Sequence, residues 1–384
     1  MRKLGIIGFG GLGSVYAHLI EDEHRTENVR LGAIWDIDPV RRELARKLYP
    51  HVPVFDDVDA LLASKTCDFV SIAVPHFFHN PLAQKALEAG MPVLLEKPAG
   101  IVPQQVRATL ALAEKHKDVP FGIMYNQRTN PVFRRIHDLV ASGEMGELRQ
   151  VIWIQRQFRT QRYYDSGSWR ATWGGEGGGV LVNQVPHHMD LLQWIFGMPK
   201  KVYATTNFGF KRNIAVENDV CAQMVYENGA TGVFIACTND ALGEDRLTAT
   251  FERGRIRCLD SQRLEIEKLY DDEERLGTVY TDEELDELRK SGRLVTKEVF
   301  VKDPDPYGLW EHMNVFSAFA DHLDDPSKPL VVYGEEGLRE VLFAGAIQLS
   351  GWTGQSVDIP FDEELYLSEL NKRIAEEGKY PLQK

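Results

Sequence analysis

Leu4-Gly5-Ile6-Ile7-Gly8-Phe9-Gly10-Gly11-Leu12-Gly13 is a short apolar run that opens into the pattern G-x-G-x-x-G. The glycines alone say little. Their setting says more: they follow a strand candidate, open a helical stretch at Val15 to Ile20, and begin a unit whose second strand candidate, Leu31 to Trp35, ends at Asp36. In such a βαβ unit the first glycine permits a tight turn and the second lets backbone approach a pyrophosphate. The third lets helix and strand pack closely, and the helix N-terminus stabilises phosphate charge. Gly8, Phe9, Gly10, Gly11, Leu12 and Gly13 are therefore candidate dinucleotide-binding residues. Asp36, 23 positions after Gly13, is placed to accept hydrogen bonds from both ribose hydroxyls and to repel a 2′-phosphate, which favours NAD over NADP. Arg41 and Arg42 could neutralise such a phosphate, or lie on the solvated face of the next helix.

The alternation continues outward from this stretch. Pro39 to Leu48 reads as a helix with Asp38 as its N-cap, Phe69 to Val74 as a buried strand closed by Pro75, and Asn80 to Ala89 as a helix stopped by Gly90. Val93 to Leu95, Gln104 to Lys115 and Phe121 to Tyr125 add a strand, a helix and a strand. Strand–helix alternation predicts a doubly wound parallel sheet over residues 1–125, a Rossmann-type α/β domain.

From 126 to 384 the pattern changes to a second, α+β domain. Asn130 to Ser142 reads as a helix, Leu148 to Arg159 as a long strand and Val180 to Phe196 as a helix. Lys201 to Phe208, Asp219 to Tyr226, Thr231 to Cys237 and Leu247 to Glu252 are strands, and turns such as Glu227-Asn228-Gly229 predict antiparallel pairing. The charge-rich stretches Asp271 to Arg275 and Asp282 to Lys290 read as a solvated insertion with one short helix.

Composition excludes several classes. The 384 residues carry 44 Lys and Arg against 57 Asp and Glu, a net charge of −13, which argues against a nucleic-acid partner. No apolar run reaches the length of a membrane span. No C-x-x-C pair occurs among the four cysteines, so free thiols in a reducing, cytoplasmic setting are expected, with no metal site.

Two constellations carry chemistry. Glu96-Lys97-Pro98 follows the strand Val93 to Leu95, where an open sheet binds ligands. A lysine there can stabilise developing alkoxide charge, although an ordinary surface lysine explains the position alone at least as well. Pro98 also permits a cis Lys97-Pro98 bond. The second is Gly177-Gly178-Gly179-Val180-Leu181-Val182-Asn183-Gln184-Val185-Pro186-His187-His188-Met189-Asp190. Asn183, His187 and Asp190 share one face if the segment is a regular helix, which Pro186 would distort. His187 suits a general base oriented by Asp190, and Asn183 can bond a hydroxyl but not act as a base. A core histidine, or a metal site on His187, His188 and Asp190, would use the same residues. Tyr163, Tyr164, Trp169, Trp173 and Arg170 precede this segment; they suit a sugar, by stacking on C–H faces and bonding hydroxyls, or equally a hydrophobic lid or subunit contact.

Together these segments resemble the Gfo/Idh/MocA oxidoreductase family, which includes glucose-fructose oxidoreductase and inositol dehydrogenase. The resemblance rests on Gly8 to Gly13, Val74-Pro75 with His79, Gly90 to Pro98, Asn126-Gln127-Arg128 and Gly177 to Asp190. It implies a C-terminal domain with a large, mainly antiparallel sheet, a homodimer or homotetramer built through that sheet, and hydride transfer between a nicotinamide and a ring carbon of a sugar, glycoside or cyclitol. It implies Lys97 and His187 as catalytic residues. Asn183, Asp190, Arg170, Trp169, Tyr164 and Arg128 then fall to the substrate, and Val74, Pro75, His76, His79, Glu96, Lys97 and Asn126 join the glycines and Asp36 at the cofactor. Inositol-dehydrogenase-like members usually carry aspartate where this chain has Asn183, and His76 stands where asparagine commonly follows the Val-Pro pair in the family. An NAD-dependent glycosidase acting through transient C3 oxidation, and a non-catalytic NAD-binding sensor, are the alternative functions.

Overall fold

The computed structural model describes residues 1–305, 309–380 and 382–383. Its first sheet contains β1 (Arg2–Ile7), β2 (Val29–Trp35), β3 (Val54–Phe55), β4 (Phe69–Ile72), β5 (Val93–Leu95) and β6 (Phe121–Ile123). All pair in parallel, in the order β3-β2-β1-β4-β5-β6. The order reverses between β1 and β4, which leaves a crevice beyond the carboxyl ends of those strands. The strands read as continuous apolar runs because helices cover both faces: β4 and β5 are buried along their whole length. Asp38 caps the helix Pro39–Leu48 as expected, its side chain accepting the Val40 N–H at 2.8 Å. The helical stretch read at Val15 to Ile20 spans the first helix, Gly11–Ala17, and the π-helical turn that continues it, His18–Asp22.

The second sheet contains β7 (Leu148–Phe158), β8 (Lys201–Phe208), β9 (Glu217–Val225), β10 (Thr231–Cys237), β11 (Asn239–Phe251), β12 (Gly254–Leu259), β13 (Arg263–Leu269), β14 (Val295–Val301) and β15 (Val357–Asp358). Their order is β14-β13-β12-β11-β7-β10-β9-β8-β15, and all pairs are antiparallel except β7 with β10. The β9–β10 hairpin turns at Glu227-Asn228-Gly229, with Gly229 at φ +86°. Between β13 and β14 the charge-rich insertion forms two short helices, Glu273–Thr278 and Asp282–Lys290, rather than one. Asp272 caps the first, and a Thr281–Glu284 capping box starts the second.

The stretch expected to be a single helix from Val180 to Phe196 is broken in two. A π-helical turn, Val180–Gln184, precedes the helix Pro186–Phe196, because Pro186 has no N–H to continue the ladder and sits instead in a first turn.

The C-terminal part holds three helices outside the sequence reading: Trp310–Asp324, Gly337–Thr353 and Glu363–Glu377. The first returns to the opening sheet. Phe319 stacks on Phe69 with ring centroids 5.1 Å apart, and Phe316 meets Tyr16 edge-on at 5.0 Å, all four rings buried. Each fully buried Phe contributes roughly 1.5–3 kcal/mol. The second is almost wholly buried and packs on β8 and the helix Pro186–Phe196. Among the described residues no helix is long and apolar enough to cross a membrane, and the four cysteines are free thiols.

Candidate active site

The glycine pattern lies at the β1 carboxyl end, in the sheet crevice. Gly8 adopts φ +100°, and a Cβ on it would fall 2.4 Å from the Ala73 carbonyl oxygen. A Cβ on Gly13 would fall 1.9 Å from the Gly8 carbonyl oxygen, so only glycine lets the helix seat against the strand. Gly10 and Gly11 face open space, where a Cβ would meet nothing within 4 Å. This is a cradle at a helix start whose first amide N–H groups have no intrahelical partners, and it fits a pyrophosphate. The Asp36 carboxylate is buried and accepts the Phe9 N–H at 2.6 Å and the Asp38 N–H at 2.8 Å. Arg42 donates to Asp56 and to the carbonyls of Asp36 and Ile37, while Arg41 is exposed. Phe9 itself is buried beside Tyr49, so its backbone N–H, not its ring, faces the site.

Around the far end of the crevice several expected residues are braced by one another. His79 contacts the Pro98 carbonyl oxygen at 2.8 Å and the Val74 carbonyl oxygen at 3.0 Å, which ties the Val74-Pro75 turn to the cis Lys97-Pro98 segment. Burial pushes its imidazole down to about 4, so one nitrogen donates and the other is only close. Glu96 is buried, takes the Tyr16 hydroxyl hydrogen bond, and is pushed up to about 7 by burial. Asn126 meets Nδ1 of His312 at 3.1 Å, and its buried Oδ1 has no partner among the described residues.

Lys97 is the hub. Its half-buried side chain leaves the end of β5 and donates from Nζ to the Asn183 carbonyl oxygen at 2.9 Å. Burial lowers its basicity, opposed by the charges of Glu96, Glu176 and Glu340. His187 sits at the start of the helix Pro186–Phe196, edge-on to Tyr125 at 6.2 Å, with a buried Nδ1 that no described group hydrogen-bonds. Burial first, and the Lys97 charge second, hold its imidazole well below the ordinary histidine range. It is neutral at physiological pH and can accept a proton.

Several expectations change with the fold. Asp190 does not orient His187. It is buried, and Arg128 grips it in a fork, Nε to Oδ2 at 2.9 Å and Nη2 to Oδ1 at 2.7 Å. Arg128 also donates to Glu336 at 2.5 Å, so its buried guanidinium braces the scaffold. Tyr164 is also in the core, its hydroxyl 2.6 Å from Thr238, and Trp173 packs against Trp352. His188 turns toward the second sheet, with Nε2 3.2 Å from Gln155, so His187, His188 and Asp190 do not converge.

Trp169 and Arg170 stay at the site. The guanidinium stacks over the Trp169 and Tyr163 rings at 4.6 and 4.7 Å and donates to the Tyr163 hydroxyl at 2.9 Å. Trp169 packs on His76 at 5.4 Å, and His76 donates from Nδ1 to the Glu176 carbonyl oxygen at 3.0 Å. Three groups went unread in the sequence: the half-buried His312, and the buried Glu176 and Glu340, the last accepting from the Tyr125 hydroxyl at 3.1 Å. Glu176 stands inside the glycine run and could have been noticed there as a lone charge. The other two lie far along the chain with no local signal.

Residues 2–124 match the GFO/IDH/MocA oxidoreductase family with an NAD-binding Rossmann fold, and residues 133–257 match the GFO/IDH/MocA C-terminal domain. The inositol 2-dehydrogenase of Corynebacterium glutamicum strain R is 26% identical over 259 residues, which cover 66% of this chain and 73% of that protein. The WlbA dehydrogenase of Bordetella pertussis, solved with NADH and UDP-GlcNAcA, superposes with a TM-score of 0.75 at 22% identity, covering 94% of this chain and 99% of that one. The scyllo-inositol dehydrogenase of Lactobacillus casei, solved with NAD(H) and scyllo-inositol, gives 0.73 at 20%, covering 94% and 99%. At these identities the structural likeness establishes the fold.

Proposed function

Because the chain belongs to the GFO/IDH/MocA oxidoreductase family and carries its NAD-binding Rossmann domain, we propose that it oxidises a ring hydroxyl of a sugar, glycoside or cyclitol. The observation that carries this reading is the pairing at the crevice of a half-buried ammonium, Lys97, with a neutral imidazole, His187, whose Nδ1 is unpartnered among the described residues. Bound NAD supplies the acceptor for the hydride that leaves the ring carbon. His187 takes the hydroxyl proton, and Lys97 steadies the oxygen as its charge develops. Arg170, stacked over the Trp169 ring and held by Tyr163, offers donors to hydroxyls, and the stacked pair walls the sugar site.

NAD is the preferred cofactor over NADP. Asp36 would lie against a 2′-phosphate, and Arg42 is committed to Asp56 and backbone carbonyls. Residues 1–125 hold the cofactor and 126–384 the substrate, with the helix Trp310–Asp324 bracing the cofactor half. A homodimer or homotetramer paired through the second sheet belongs to the same reading, and the exposed Val295, Val299 and Val301 on one face of the edge strand β14 support it.

The test mixes the purified protein and NAD with a panel of sugars, glycosides and inositols, following NADH absorbance and freed aglycone together. NADH appearing with one class establishes the dehydrogenase and identifies its substrate. Aglycone released without net NADH identifies a redox glycosidase instead. Full turnover in folded Lys97→Ala and His187→Ala proteins would sink the assignment of these two residues.

A further inference from the structure

Glu176 lies in Gly174-Gly175-Glu176-Gly177-Gly178-Gly179, only 1% exposed. The glycines let this loop fold inward. A Cβ on Gly175 would fall 2.7 Å from the Trp169 carbonyl oxygen, and one on Gly177 (φ +82°) 2.4 Å from the Ile101 side chain. The buried carboxylate has two distinct partners. Oε2 accepts the Ala171 N–H at 2.6 Å, and Oε1 accepts from Nδ2 of Asn183, with Nη1 of Arg170 4.0 Å away. The backbone of Asn183 is meanwhile held by Lys97 through its carbonyl oxygen.

Burial pushes the Glu176 carboxyl up to about 7, so the orientation is set, and is tested, at pH 8.5, where the group is ionised. An ionised carboxylate only accepts and decides which way a carboxamide points. Nδ2 of Asn183 must face Glu176, and it also reaches the Tyr163 hydroxyl at 3.3 Å. Oδ1 is then turned away from both, and no described donor reaches it. Resting on the proposed sugar or cyclitol chemistry, we propose that Glu176 is a positioning residue that presents Asn183 Oδ1 to the cleft as an acceptor for a second hydroxyl of the substrate ring. The substrate is accordingly a polyol, and Asn183 offers it a neutral acceptor.

The donor–acceptor logic makes its own test. In Glu176→Gln, the Ala171 N–H claims the new carbonyl oxygen, so the new amide nitrogen faces Asn183. The Asn183 carboxamide must then turn its oxygen inward and show the cleft a donor. KM for the polyol identified in the panel should rise at least tenfold with kcat within threefold, while NADH affinity read by fluorescence stays unchanged. The swapped protein Glu176→Gln/Asn183→Asp again pairs an amide donor with an inward acceptor and leaves a second carboxylate oxygen facing the cleft. It should return KM to within threefold of the wild type.

An unchanged KM in Glu176→Gln, or a swap that compounds the loss, overturns the proposal. A Glu176→Gln protein that does not fold leaves the swap to decide. If the wild type turns over no polyol, the functional reading fails separately. The orientation is still read without substrate from ¹⁵N-asparagine-labelled protein. The Asn183 Nδ2 protons should be protected from exchange in the wild type and lose that protection in Glu176→Gln, and absence of protection in the wild type overturns the inference whatever the activity.

Discussion

Replacing Asp190 by asparagine should destabilise the protein far more than it slows it. Arg128 and Asp190 have side chains 3% and 1% exposed, joined by two hydrogen bonds of 2.9 and 2.7 Å. Gln193 adds a third to Asp190 at 3.0 Å. The substitution keeps the volume but removes the charge, and it aims an amide N–H₂ at a guanidinium that can only donate. The cation is left with Glu336 alone, which is 22% exposed and partly screened by water.

Breaking a buried pair by removing one partner costs roughly 3–5 kcal/mol, and the retained amide oxygen puts this case near ~3 kcal/mol. At about 2–4 °C per kcal/mol for domains of 150–250 residues, Tm should fall by about 6–12 °C. Scanning calorimetry, with urea unfolding as a check, measures it. Arg128→Met should cost a similar amount, and the Arg128→Met/Asp190→Leu double variant should recover a large part, because neither charge is then buried alone. A folded Asp190→Asn protein with Tm unchanged and turnover abolished would refute the reasoning and move Asp190 to the substrate or to His187.

The other predictions concern the crevice. His187→Ala should lower kcat by ~10²–10⁴-fold with NADH affinity retained, as loss of a general base does. Because burial and the Lys97 charge hold that imidazole down, it is already deprotonated at pH 6.5. The acid limb of kcat/KM in the wild type should therefore lie below pH 6.5, and Lys97→Met should move it upward without reaching 6.5, since burial is the larger cause. Asp36→Ser should weaken NAD binding by roughly 10–100-fold, as removing a charge-assisted pair does, and raise relative affinity for NADP; fluorescence titration with both reduced cofactors checks it. Gly13→Ala places a methyl 1.9 Å from the Gly8 carbonyl oxygen, so it should cost about 1–3 kcal/mol in unfolding experiments and weaken cofactor binding with it.

Local chemistry determined much of this protein from its sequence. Gly8 to Gly13, the Asp38 cap, the Gly229 turn and the alternating apolar runs each specify backbone within a few residues, so five of the six strands of the first sheet and the β8–β9–β10 hairpins of the second were legible without coordinates, whereas β3 and β12 to β15 were not. Lys97 and His187 were legible only as candidates, through the family resemblance, because an ordinary surface lysine and a core histidine explained the same positions. Partnership was decided only by the tertiary structure. Asp190 read as a neighbour of His187 because they are three residues apart, yet a buried guanidinium 62 positions earlier in the chain outbid that spacing. Pro186 split the expected helix and left Asn183 on a separate turn, facing Glu176. The helix Trp310–Asp324 closes a core laid down three hundred residues before it, a contact no local pattern encodes. Backbone preferences act between neighbours in sequence, whereas desolvation forces each buried charge to find a partner wherever the fold supplies one.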